Sequence, residues 1–299
     1  MTLYAFLGAL EQGFAYGLMV IGVYLTFRVL DFPDLTVDGS LPLGAAVSAV
    51  AITSGYSPVL AILMASGAGF LAGMVTGILN TKFKILHLLA SILTMIALYS
   101  INLRIMGRPN MALLGQDTVV DRFINFSRLL PQHAAPLLFA VICFVIVAVL
   151  IWFLHTEKGL AFLATGDNKQ MITSQGVNTD NVIIFGVGLS NALVAASGAL
   201  VAQNQGAADV NMGVGTIVAG LASVIIGETV FGDKTISRAL IAALLGSVLY
   251  RIAIGLALGL KLGSFSITPS DLNLITAILV VCALIMPRMK RKFLAGRSK

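Results

Sequence analysis

Residues 164–182 read ATGDNKQMITSQGVNTDNV. The runs on either side are oily, while this stretch is polar and helical in pattern. Asp167 is of the type that caps a helix N-terminus, and Gly176 of the type that ends a helix in a left-handed residue. Between them only Met171 and Ile172 are large and apolar. A helix this short is marginal in water by itself. It is expected to lean on another surface, with Met171 and Ile172 as its handles.

The rest of the chain sets the fold class. Its 299 residues are 58% hydrophobic and 11% charged, with a mean hydropathy of +0.97. A soluble domain carries about a quarter charged residues, so this is an integral membrane protein. The apolar runs are long, contain Gly and β-branched residues, and do not alternate strictly. That argues for helices over barrel strands of roughly ten residues. The expectation is an all-α, polytopic helical bundle, a single transmembrane domain over residues 1–299.

Nine apolar segments are read, at 5–28, 40–55, 58–80, 88–106, 135–154, 182–203, 212–230, 235–256 and 271–287. A span needs about 20 residues. The second and seventh are short or Gly-rich, so eight spans with one broken or re-entrant helix is the alternative. The N-terminus shows no basic n-region and no small-residue cleavage site, so the first run is expected to be a retained helix. Cys143 and Cys282 both lie in apolar runs and read as small core residues.

The net charge of +6 does not indicate nucleic acid. Much of it sits in the tail PRMKRKFLAGRSK, directly after an apolar run. Residues 288–299 are therefore expected to form a basic cytoplasmic tail, able to touch anionic membrane lipid. Counting back through nine segments places the N-terminus outside. Arg28, Lys82, Lys84, Lys158, Lys169, Lys234 and Arg238 then lie inside, and the polar loop 107–134 outside.

Packing signals are clearest in GFLAGMVTG, where Gly69, Gly73 and Gly77 recur at every fourth position. Such rows let helix backbones approach closely. The plainer reading is packing within one chain; the other is a dimer face.

The stretch LDFPDLTVDGS, residues 30–40, carries Asp31, Asp34 and Asp38 where a plain inside loop would be basic. Pro33 blocks helix continuation. Two readings stand: a solvated loop in which Asp38 caps the next helix, or a break between half-helices lining a water-filled path. Ser190 and Asn191 lie within an apolar run, and can bond neighbouring helices or face a pathway. The turn QNQGAADVNMG after that run is unusually polar, and suits contact with a delivery protein or a gate. Glu11 lies about two turns from the N-terminus and reads as interfacial. Glu228 is expected to pair with Lys234 or to cap a helix.

Other chemistry finds little support. GETVFGDKT lacks the Lys directly after the second Gly that a phosphate-binding loop needs. His87, His133 and His155 are scattered, and no metal-ligand spacing appears. No catalytic constellation is visible.

Three stretches together resemble the permease subunits of ABC importers in the branched-chain amino acid and ribose group. They are ATGDNKQMITSQGVNTDNVIIFGVGLSNALVAASGAL, LDFPDLTVDGSLPLGAAV and GTIVAGLASVIIGETVFGDKT. The set is most similar to the subgroup assigned to tryptophan, tyrosine or related amino-acid uptake. An additional N-terminal helix of the sugar-type members is missing, which leans against a sugar substrate.

The resemblance implies alternating access in a bacterial inner membrane. It implies a homodimer of permeases, two copies of a separate ATPase subunit holding ATP and Mg, and an extracytoplasmic substrate-binding protein. No cofactor is implied in this chain. Residues 155–181 would be the cytoplasmic coupling loop, with Gly159, Asp167, Asn168, Met171, Ile172 and Gly176 at the ATPase. Asp34, Thr36, Asp38, Ser190 and Asn191 would lie near the substrate pathway. The rival reading is a secondary transporter driven by an ion gradient, with the acidic break as its ion site.

Overall fold

The computed structural model describes residues 3–127 and 130–259, with isolated positions between 261 and 281. Helix α1 (Leu3–Ala15) runs into α2 (Gly17–Tyr24) and a single π-helical turn, Leu25–Val29. The chain then leaves the helix before Pro33, with Asp31 in the left-handed region at φ +50°. Helix α3 (Val37–Thr53) restarts beyond the break, followed by α4 (Pro58–Thr81) and α5 (His87–Met106). Strand β1 (Asn110–Ala112) and the short helix α6 (Val119–Ser127) lead to α7 (Pro131–Leu154). Helices α8 (Glu157–Asp167) and α9 (Lys169–Ser174) precede the long α10 (Thr179–Gln205). Strand β2 (Ala207–Asp209), α11 (Thr216–Phe231) and α12 (Ile236–Gly259) complete the helical part.

Six of the described helical stretches are long and apolar enough to cross a membrane. The second and seventh sequence segments become the shorter apolar helices α3 and α11. Among the described residues, the first eight of the nine segments read from sequence thus stand as six long helices and two short ones. Segment 271–287 and the tail 288–299 lie outside the described residues.

Helix α10 is the axis of the bundle. In its most apolar 18-residue window 72% of residues are buried, against 33% for α4 and 28% for α5. The glycine row of α4 explains how a neighbour comes so near. A Cβ on Gly73 would lie 2.4 Å from the Val187 carbonyl oxygen, and one on Gly69 2.4 Å from that of Asn191. The row therefore serves packing inside the chain. Ser190 and Ser197 donate to the carbonyls of Gly22 (2.7 Å) and Ala15 (2.6 Å), tying α10 to the first helices. Without a hydrophobic force between helices in lipid, contact of this kind and hydrogen bonding hold a bundle together.

At the end that holds Glu11 the loop 107–134 meets the polar turn after α10: β1 pairs antiparallel with β2, Met111 opposite Ala208. Gln203 accepts from the Val119 amide (3.0 Å) and donates to Ser48 Oγ (3.0 Å). Glu11 accepts from Asn204.

Candidate functional site

The break at residues 30–40 turns into the bundle: Asp31 is exposed, while Phe32, Asp34, Thr36 and Ser40 are buried. Pro33 supplies no N–H and biases Phe32 toward extended backbone. The Phe32 amide reaches back to the Thr26 carbonyl at 2.9 Å. This frees Asp34 to turn inward, where it is fully buried. One carboxylate oxygen accepts from the Thr36 amide (2.9 Å) and the other from Asn191 Nδ2 (2.7 Å). Asn191 Oδ1 in turn accepts from Ser40 Oγ at 2.7 Å. Thr36 and Thr76 share a hydroxyl–hydroxyl bond of 2.8 Å. A buried polar group without partners is costly; here each is answered by a different helix.

Asp38 has a different role. It lies in the first turn of α3, yet its carboxylate also covers the start of α11. It accepts from the Ile217 amide (2.9 Å), the Gly215 amide (3.1 Å) and the Thr216 hydroxyl (3.0 Å). The partial positive ends of two short helices meet at one carboxylate. Asp34, Thr36 and Asn191 are thus joined in one network, with Asp38 one turn away and Ser190 turned toward α2.

At the opposite end from β1 and β2, the segment after α7 folds as two capped helices. Thr156 Oγ1 accepts from the Gly159 amide (3.3 Å). The cap of α9 is Asn168, whose side chain accepts from the Met171 amide at 2.9 Å. Asp167, expected there from sequence, instead ends α8. Beyond α9 the Gly176 amide bonds Thr173 and the Val177 amide bonds Ile172, with Gly176 at φ +88°. That is the paired C-terminal closure in which glycine is preferred. Asn178 caps α10 (3.2 Å).

The two expected handles part company. Met171 is 46% exposed, whereas Ile172 is 6% exposed and packs into the chain. Helix α8 rests directly on the break. A Cβ on Gly166 would lie 1.7 Å from the Val29 carbonyl oxygen. Phe162 is buried, and a Cβ on Gly186 of α10 would meet both its ring (2.2 Å) and Leu30 (2.6 Å). Beside this contact Arg28 forks onto Glu228 with bonds of 2.8 and 2.7 Å. Glu228 therefore pairs with Arg28, in place of the Lys234 pairing or helix cap expected from sequence.

Ser40, Thr76, Gly166 and Asn102 were not singled out by sequence. Thr76 sits in the glycine row GFLAGMVTG, and Asn102 deep in an apolar run. A polar residue in such a place usually faces an interior partner. No group of metal-ligating side chains occurs among the described residues.

Residues 5–286 match the family described as branched-chain amino acid transport system / permease component. The chain belongs to this family. It is 43% identical over 279 residues to a tyrosine transport system permease protein of Clostridioides difficile, covering 93% of this chain and 90% of that one. It is 27% identical to an autoinducer 2 import system permease protein of Yersinia pseudotuberculosis, over 60% of this chain and 50% of the relative. It is 28% identical to a galactofuranose transporter permease protein of Escherichia coli, over 63% and 53%. The chain thus spans about half the length of the latter two. No solved structure matches. This permease component is a multi-pass membrane protein, and amino acid transport is the activity its Clostridioides relative is named for.

Proposed function

We propose that the chain is the membrane subunit of an ABC importer, forming the path for an amino acid or related small polar solute. Two copies pair, two separate ATPase subunits supply the energy, and an extracytoplasmic protein delivers the solute. The basic tail and α8–α9 face the cytoplasm, and the N-terminus faces outside. The observation that carries this reading is the 43% identity, over nearly the whole chain, to a permease named for tyrosine transport.

In this reading α9 seats Met171 in a groove of the ATPase, with Gly159, Asp167, Asn168 and Gly176 shaping the element that presents it. Ile172 holds α9 to the bundle. Closure of the ATPases moves α8–α9 as one body, and the contact of Gly166 with Val29 passes that motion to the break. Asp34, Thr36, Asn191 and Ser190 hold the half-helices in one arrangement, and Asp38 fixes the second pair. Energy enters only because the two arrangements bind the ATPase differently.

The test is recovery of the tagged chain from its native membrane in mild detergent, with mass spectrometry of what accompanies it. A nucleotide-binding ATPase at equal stoichiometry is expected. Recovery of the chain alone at good yield contradicts the reading.

A further inference from the structure

A cavity of about 900 Å³ opens between the end of α7, the first turns of α8 and the start of α10. Sites for small molecules commonly have about 300–1,000 Å³. Its lining is of two kinds. Trp152, Phe153 and Phe185 are aromatic, with the last two rings 6.0 Å apart. Glu157, Lys158, Asn178 and Asn181 are polar.

Depth in the membrane narrows the ligand. Two helices long and apolar enough to cross a membrane end here, at Leu154 and Thr179. The three aromatic residues stand inside those ends. Glu157, Lys158 and Asn178 lie beyond them, and Asn181 is in the first turn of α10. Trp152 is 71% exposed, two residues from the end of its span. Tryptophan in such a place marks the boundary between hydrocarbon and headgroups. The cavity therefore straddles that boundary.

Its polar groups have bonding capacity to spare. Neither Glu157 nor Lys158 enters an ion pair among the described residues. Asn178 gives its Oδ1 to the Asn181 amide, which leaves its Nδ2 to donate. Lys158 and the two amides suit a phosphodiester, and Glu157 suits a cation with N–H groups. A purely anionic headgroup would meet Glu157 as a like charge. A quaternary ammonium has no N–H to offer it. A phosphate that carries a primary ammonium answers both.

We propose that this cavity holds one phospholipid with a primary ammonium headgroup, of the phosphatidylethanolamine type. Lys158 and Asn181 receive the phosphate, Glu157 the ammonium, and the aromatic wall the upper acyl chain. Glu157 and Lys158 begin α8, the helix that rests on Val29 through Gly166, so the lipid braces α8 against the spans. The inference rests on the membrane-spanning helices and is independent of the transport reading.

Trp152 is the single tryptophan of the chain, so its fluorescence reads this cavity directly. The full-length chain is reconstituted in phosphatidylcholine vesicles that hold a minor fraction of lipid with brominated acyl chains, which quench indole on contact. The brominated lipid carries an ethanolamine, glycerol or choline headgroup. The ethanolamine lipid is expected to quench at about fivefold lower mole fraction than either other, the size of one net hydrogen bond. Glu157→Gln is expected to abolish that preference, and Lys158→Gln to weaken the ethanolamine and glycerol lipids alike. Both side chains are exposed, so both variants are expected to fold, which circular dichroism checks. Equal quenching by the three lipids marks ordinary boundary lipid and overturns the site. A preference for glycerol, or one for ethanolamine that survives Glu157→Gln, overturns the ammonium assignment. Absence of quenching by any lipid shows the cavity closed to lipid and overturns the proposal.

Discussion

Gly166 of α8 lies against Val29 so closely that a methyl group there would sit 1.7 Å from the Val29 carbonyl oxygen. Val29 ends the π-helical turn, and five residues later Asp34 begins the buried network. The two candidate regions of the molecule, the capped helices α8–α9 and the broken segment, are therefore in direct backbone contact.

Gly166→Ala should break that contact. The clash is with backbone, so a rotamer change cannot relieve it, and overpacking of this kind costs about 1–3 kcal/mol. The expected outcome is a lower melting temperature in detergent and strongly reduced uptake. Unchanged values of both would show that α8 and the break are not packed as described.

Met171 and Ile172 separate docking from folding. Met171→Asp is expected to leave the chain folded and weaken association with the ATPase about tenfold or more, since burying a Met side chain is worth about 1.5–3 kcal/mol. Ile172→Asp places a charge inside the chain, and should loosen α9 itself. Protease cleavage within residues 168–178 reads the second effect, and copurification of ATPase reads the first.

Asp34 and Asn191 should behave as one unit. Asp34→Asn sets an amide NH2 against either the Thr36 amide or Asn191 Nδ2, so one bond is lost whichever way it turns. A loss of about 1–3 kcal/mol in stability is expected. Asn191→Leu removes the same bond from the other side, and residues in one network are not additive. The double variant should therefore cost less than the sum of the two, measured by thermal unfolding.

Arg28 and Glu228 join the π-turn to the end of α11, with side chains 53% and 12% exposed. Arg28 is open to solvent and stays hydrated when its partner is neutralised, so Glu228→Gln should cost only about 0–1 kcal/mol. A transport defect shared equally by Arg28→Gln, Glu228→Gln and the double variant would mark the pair as a latch between conformations. Uptake rates of the three check it.

Much of this was legible in the sequence, and the failures have local causes. Pro33 and the acidic run marked the break, and Gly176 marked the end of α9. Asp167 and Asn168 are equally good capping types, so adjacency left the choice of cap open. A helix of six residues is too short for a stripe to appear, so nothing told Met171 from Ile172. Arg28 and Glu228 are 200 positions apart, and β1 and β2 are three residues each. Pairings at such separations carry no local signal. Thr76 and Asn102 carried the signal that marked Asn191, a polar side chain inside an apolar run.

The most direct measurement is uptake of a labelled amino acid by proteoliposomes holding the chain and its copurified ATPase. Uptake is measured with ATP, with an imposed proton or sodium gradient, and in wild type and Met171→Asp. Uptake driven by ATP alone, lost in Met171→Asp while ATP hydrolysis persists, is the predicted result. Uptake that follows the ion gradient and ignores ATP and Met171 would contradict it, and would make the buried Asp34 the leading ion site.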